Sequence, residues 1–283
     1  MNVHAQSAEP QGSLDRVPFQ QIDFDSLQDT GVFQAKPVPI KGYLLVAATS
    51  SKAPGAVLNP ACEGLLAAGG KEVKVKYQRM ARTLWSRGIT VLLVDGFNPR
   101  GYEETCSHRN KDSSIIRLQD ALGGLVYLRS RSDVAGDKIF TVTWGATGGF
   151  EGMNKNSPHL KKIGAGFMAA IMYYPECKSM NRSTFAPYAP IQMFVGEKDA
   201  WNPAAPCQEL SQRQEAGSAA FNIKIYPNTY HSFDQPFGVP KLNAFNPQLG
   251  MVGRNADSTF DSYRTIDTFL SGLLTGQSLV TTP

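Results

Sequence analysis

One stretch constrains the fold of this chain more than any other: an apolar or β-branched run from Ile139 to Trp144, a break at Gly145, and paired glycines at Gly148 and Gly149. The run has no helical period and reads as a buried strand. The glycines allow a sharp turn into a helix that begins near Phe150. A strand that turns so tightly into a helix is half of a βαβ unit, and the rest of the chain supplies further units. Strands are expected at Ile40–Ala48, Gly55–Leu58, Ile89–Asp95, Gly166–Tyr174, from Ile191, and at Asn222–Tyr226. Helices are expected at Glu72–Arg87, Ser113–Arg131, Ala204–Glu215 and Asp257–Leu270. Alternation with short links predicts an α/β fold with a mostly parallel sheet covered by helices on both faces.

In an α/β protein of this kind the strand-to-helix turn commonly carries a nucleophile, followed by one residue and then the paired glycines. That spacing puts the nucleophile at position 146, where the chain has Ala146. Alanine does no covalent chemistry. Two other strands end on residues of the matching kind. Ile191 to Gly196 runs into Asp199, and Phe221 to Tyr226 is followed by His231. The chain order of nucleophile, acid and histidine is that of α/β-hydrolase triads.

Four segments carry a family resemblance: Pro54 to Gly64, which includes Asn59-Pro60-Ala61-Cys62; Val91 to Gly101, which includes Arg100; Gly196 to Pro203; and Tyr230 to Asp234. Together they resemble the dienelactone hydrolase family over about Gly42 to Leu270. The resemblance implies an α/β-hydrolase domain over residues 21–283, acting on esters or lactones, with Asp199 as the acid and His231 as the base. It implies an oxyanion hole built from the backbone N–H of Thr147 and of Ala61 or Cys62. By the same resemblance Arg100 would hold a substrate carboxylate, the alternative being that it pairs with Glu103, Glu104 or Asp95 to brace its own loop. Trp144, Trp201 and Phe233 flank the triad positions, so an aromatic-lined acyl pocket is expected, with Trp144 and Trp201 touching substrate. The chain departs from the family pattern at Trp144, where a glycine is usual, in the Asn59 to Cys62 loop, and at Ala146. Three accounts of Ala146 stand: a Ser-to-Ala exchange in an otherwise intact hydrolase, which would be inactive; a nucleophile moved to Thr147; or a pseudo-enzyme of the same fold that binds a ligand or a partner.

Composition fits this reading. A chain of 283 residues, 42% hydrophobic, can bury a large core. The net charge of +4 without any basic run gives no sign of nucleic-acid binding, and no apolar run is long enough for a membrane helix. The triad chemistry needs no metal and no cofactor; the partner is an ester substrate, small or polymer-derived. His4, His108 and His159 fall in the leader, in a polar loop and in a linker, which leaves His231 as the base.

Cys62 and Cys106 each follow an early strand, and Cys177 and Cys207 each follow a later one, all at the same sheet edge. Disulfides 62–106 and 177–207 are therefore expected, although sequence alone allows three connectivities. Val3-His4-Ala5 before Gln6 resembles the end of a signal-peptidase site, with Met1 an added start and residues 1–20 a flexible leader. Disulfides and such a leader suit a periplasmic or secreted protein.

Overall fold

A computed structural model describes residues 17–27, 38–107, 114–145, 148–180, 185–213, 215 and 217–275. The strands are β1 (Gln20–Asp25), β2 (Pro39–Leu45), β3 (Ala53–Asn59), β4 (Thr90–Asp95), β5 (Val134–Trp144), β6 (Ala170–Tyr173), β7 (Ile191–Gly196), β8 (Phe221–Tyr226), β9 (Lys241–Leu242) and β10 (Met251–Val252). The helices are α1 (Val75–Trp85), α2 (Ser114–Ser130), α3 (Gly148–Met153), α4 (Pro158–Ile163), α5 (Ala204–Gln212) and α6 (Ala256–Thr275).

Strands β1 to β8 form one sheet in the order β1-β2-β4-β3-β5-β6-β7-β8. β1, β2 and β4 pair antiparallel, and every pairing from β4 across to β8 is parallel. The parallel strands β6 and β7, like β4, are buried along their whole length, and so is the second half of β5, which is why they read as nearly continuous apolar runs; the edge strand β8 is only partly buried. Side chains alternate between two cores. Leu92 and Val94 of β4 and Ile139 of β5 join α2, α3 and α5 on one face. Val91, Leu93, Phe140, Val142 and Trp144 join α1 and α6 on the other. This strict period of two decides where each strand residue can act.

Four elements lay outside the sequence expectations. β1 extends the antiparallel end of the sheet and starts at Gln20, inside the stretch expected to be leader. α4 forms in the expected linker and buries His159. Finally, β9 and β10 pair as an excursion between His231 and α6. The proposed leader up to Arg16, together with His4 and His108, lies outside the described residues.

Candidate active site

At the carboxyl edge of the sheet β7 ends at Gly196 and the chain turns back at once, with the Asp199 N–H donated to the Gly196 carbonyl at 3.2 Å. Gly196 is required there, since a Cβ on it would lie 2.3 Å from the Thr229 carbonyl oxygen. That close approach brings the β7 turn against the loop after β8. The loop is pinned by the buried Thr229, whose hydroxyl meets Ser258 on α6 at 2.8 Å and accepts from Asn255. Two residues on, His231 is held through its carbonyl, which accepts from Gly253 N–H at 2.8 Å.

The result is a buried acid–base pair. His231 Nδ1 stands 2.7 Å from Asp199 Oδ2. A carboxylate only accepts, so Nδ1 carries the proton and Nε2 is left as the basic nitrogen. The other oxygen, Asp199 Oδ1, accepts from the backbone N–H of Trp201 at 3.0 Å and of Asn202 at 2.8 Å. Both carboxylate oxygens are thus fixed and the imidazole has one orientation. The Trp201 ring stacks on His231 at 4.6 Å and the Tyr174 ring lies 4.4 Å from it. Glu197 faces elsewhere: its carboxylate accepts from Asn228 N–H at the surface.

His231 opens onto a cleft of about 870 Å3. Ala61, Cys62, Gly145 and Trp201 line it, and so do Phe237, Val239 and Phe245 from the excursion. Phe237 and Val239 are 68% and 78% exposed, an apolar lip at the mouth. The structure joins Cys62 to Cys106 and Cys177 to Cys207, the two pairings expected, and the first bond lies in the cleft wall.

Several expected site residues sit elsewhere or are otherwise engaged. Trp144 shares the parity of Phe140 and Val142, is fully buried, stacks on Tyr173 and donates its indole N–H to Asp234 at 2.7 Å. It is a core residue and does not line the cleft. Arg100 grips Asp120 of α2 through two hydrogen bonds of 2.8 Å and also donates to the Gly96 carbonyl, so its guanidinium does not face the cleft. It is a brace, though its partner is none of the three acids expected. The Ala61 N–H already donates to the Tyr77 hydroxyl at 2.9 Å, which removes it as an oxyanion donor. Cys62 lines the cleft as expected. Ala146 and Thr147 lie outside the described residues.

Behind the pair lies a polar network that the sequence reading missed. Lys76 Nζ meets Glu63 Oε1 at 2.6 Å, with the lysine side chain 2% exposed. Tyr77 donates to Glu63, Lys76 donates to the Tyr174 hydroxyl, and Tyr174 donates to Asp234. Burial alone would push the Glu63 carboxyl up; the Lys76 and Lys74 charges and the hydrogen bonds from Lys76 and Tyr77 together hold it below the ordinary carboxylate value. Burial, and then the Asp234 charge, push the Tyr174 hydroxyl well above the usual tyrosine value, so it remains a donor. Arg117 on α2 donates to the carbonyls of Pro60 and Trp144, and so ties the loops after β3 and β5 together. In the sequence Lys76 is one of several charged residues of the helix expected at Glu72–Arg87, and nothing there marks it as buried. Among the described residues no group of three or more His, Cys, Asp or Glu side chains is placed to hold a metal ion.

The model of the Dienelactone hydrolase family matches residues 107–269, more than half of the chain. The chain belongs to the dienelactone hydrolase family. A Bradyrhizobium protein named "Probable 2-oxo-3-(5-oxofuran-2-ylidene)propanoate lactonase" is 21% identical over 206 residues, 69% of this chain and 79% of that protein. Among solved structures, esterase 2 of Thermogutta terrifontis phosphoramylated by tabun superposes with a TM-score of 0.61 at 14% identity, covering 94% of this chain and 97% of the esterase. A dienelactone hydrolase-like promiscuous phosphotriesterase from metagenomic libraries gives a TM-score of 0.59 at 17% identity, covering 91% and 99%. These structures share the fold of this dienelactone hydrolase family member. Its sheet order and helical layers are those of an α/β-hydrolase.

Proposed function

We propose that this member of the family hydrolyses esters or lactones, with His231 as general base and Asp199 fixing its tautomer and stabilising its cation. The 2.7 Å Nδ1 to Oδ2 contact at the wall of a cleft carries this reading. A base held in this way takes a proton from the attacking oxygen and returns it to the leaving alkoxide. The described part of the turn after β5 and its sequence through Thr147 contain no serine or cysteine. At this turn the attacking oxygen is therefore either that of Thr147 or one that does not belong to the turn, and a serine placed at position 146 is the third case to be tested. With Ala61 engaged, the backbone N–H of Cys62 and that of the residue after the nucleophile position, Thr147 if that position is 146, are the oxyanion donors of this reading. The Trp201 ring beside the base and the apolar lip fit a substrate with an apolar or aromatic group, small or cut from a polymer. Arg100 gives no reason to expect a carboxylate on it.

The test is a panel of nitrophenyl esters and an unsaturated lactone, assayed with the native chain, His231→Ala and Asp199→Asn. Hydrolysis that falls about 10²–10⁴-fold in His231→Ala supports the reading. Equal rates in all three proteins would leave the cleft as a binding site for a ligand or partner.

The two disulfides point to an oxidising compartment, periplasmic or extracellular. Among the described residues no helix is long and apolar enough to cross a membrane.

A further inference from the structure

The turn after β5 contains a backbone signal that the sequence pattern does not. β5 ends at Trp144, and the very next residue, Gly145, has φ +66° while donating its N–H to the Tyr173 carbonyl at 2.9 Å. A positive φ at the sharp strand-to-helix turn is the strained setting in which such a turn holds its nucleophile above the sheet. Glycine adopts it readily. Gly145 also lines the cleft that His231 lines, facing the Ala61–Cys62 loop. Among the described residues, its chain neighbours aside, a Cβ built on Gly145 meets nothing nearer than the Ala61 Cβ at 3.9 Å. By contrast, a Cβ on Gly149 would come within 3.0 Å of the Thr143 hydroxyl. The position one residue past the strand is therefore open towards the cleft, and a short side chain placed there would stand in it.

We propose that Gly145, and not residue 146, holds the nucleophile position of this turn, and that the native chain hydrolyses its substrate by direct attack of water activated by His231. This rests on the reading of His231 and Asp199 as the base and its partner. The water oxygen bonds to the carbonyl carbon as its proton passes to His231 Nε2 and the carbonyl π pair moves to oxygen. The tetrahedral intermediate then reforms the carbonyl and breaks the bond to the leaving oxygen, which takes the proton back from Nε2. Acid, alcohol and free enzyme result, and no acyl group is ever attached to the chain. A Cβ at position 145 is in ordinary contact with the Ala61 Cβ and the residue lines the cleft, so a water can approach the substrate from this position.

The experiment treats the native chain, Gly145→Ser, Ala146→Ser and Gly145→Ala with a fluorophosphonate and maps the adduct by mass spectrometry, alongside the ester panel. The expected result is one adduct per chain on position 145 of Gly145→Ser, lost when His231→Ala is added, and none on the other three proteins. Native hydrolysis should fall at least about a hundredfold in His231→Ala, with no acyl group on the native chain in acid-quenched samples. An adduct on position 146 of Ala146→Ser overturns the placement. An adduct or acyl group on Thr147 of the native chain, with hydrolysis intact, overturns this inference and leaves the esterase reading standing. Absence of His231-dependent hydrolysis while Gly145→Ser still takes the probe keeps the placement but overturns the water step, and with it the hydrolytic reading of the native chain. Gly145→Ala carries the same backbone strain as Gly145→Ser and reports on folding; if both fail to fold, the native chain and Ala146→Ser still decide.

Discussion

Replacing Lys76 by Met should unsettle the whole carboxyl edge of the sheet. The side chain is nearly as long and keeps its packing, but the ammonium that meets Glu63 at 2.6 Å and donates to the Tyr174 hydroxyl is gone. The Glu63 carboxylate is then left largely buried, with the Tyr77 hydroxyl as its remaining side-chain donor. Removing one partner of a buried pair costs about 3–5 kcal/mol because the other charge loses its contact partner, and the Lys74 charge that still acts on Glu63 puts the loss toward the lower end of that range. In a chain of this size about 1 kcal/mol moves the melting temperature by about 2–4 °C, so the drop is on the order of 6–20 °C. Adding Glu63→Gln removes the stranded charge, and the double variant should recover at least about 1 kcal/mol relative to Lys76→Met. The pH dependence follows from the lowered Glu63 value. A carboxyl held below its unfolded value of 4.5 contributes its full stability above 4.5 and loses it as the pH falls through the folded value. The native protein should therefore lose stability in acid below 4.5 more steeply than Glu63→Gln. Urea unfolding of the native chain, both single variants and the double, at neutral pH and in acid, measures all of this. A Lys76→Met variant within about 1 kcal/mol of native, or a double variant weaker than the single, would refute the argument.

Arg100→Ala leaves the nearly fully buried Asp120 without its guanidinium, so it should lower stability by about 3–5 kcal/mol while changing KM equally for neutral and carboxylated esters; a selective rise for carboxylated esters would return Arg100 to the substrate site. Chain entropy for sequence separations of 44 and 30 gives about 3.5–4 kcal/mol per disulfide, and urea unfolding of Cys62→Ala/Cys106→Ala and of Cys177→Ala/Cys207→Ala measures each loss. The first pair also forms part of the cleft wall, so its removal should alter KM as well. Phe237→Ser with Val239→Ser should raise KM for long-chain or aryl esters about tenfold and leave acetate esters unchanged; equal effects on both would show that the lip does not touch substrate.

The inner parallel strands were legible because burial on both faces writes them as nearly unbroken apolar runs, and the positions of Asp199 and His231 were legible because one follows such a strand, β7, and the other the alternating edge strand β8, each within a few residues. What failed was direction. A run such as Ile139 to Trp144 does not say which face Trp144 takes, and only the period of two counted from the α1 side of the sheet sends it into the core against Tyr173 and Tyr77. Arg100 was read in its local loop, whereas Asp120 comes to it from α2, a contact set by helix packing and not by neighbouring sequence. The Ala61 N–H was assigned to an oxyanion hole because nothing in its loop names Tyr77 as an acceptor. The excursion carrying β9 and β10 has exposed apolar residues without period, so no pattern marked it. The backbone at Gly145 was invisible too, since Ala146 fits the spacing rule equally well.

The position of the two disulfides bears on how this protein should be sought. Cys62–Cys106 forms part of the cleft wall, and Cys177–Cys207 ties the segment after Tyr174 to the helix that follows Asp199. Both loops that frame His231 are therefore completed by oxidation after the chain is made. A library screened in a reducing host presents a molecule with the same sequence and unfastened loops. Silence in such a screen reports on the redox state of the host before it reports on the chemistry of the cleft.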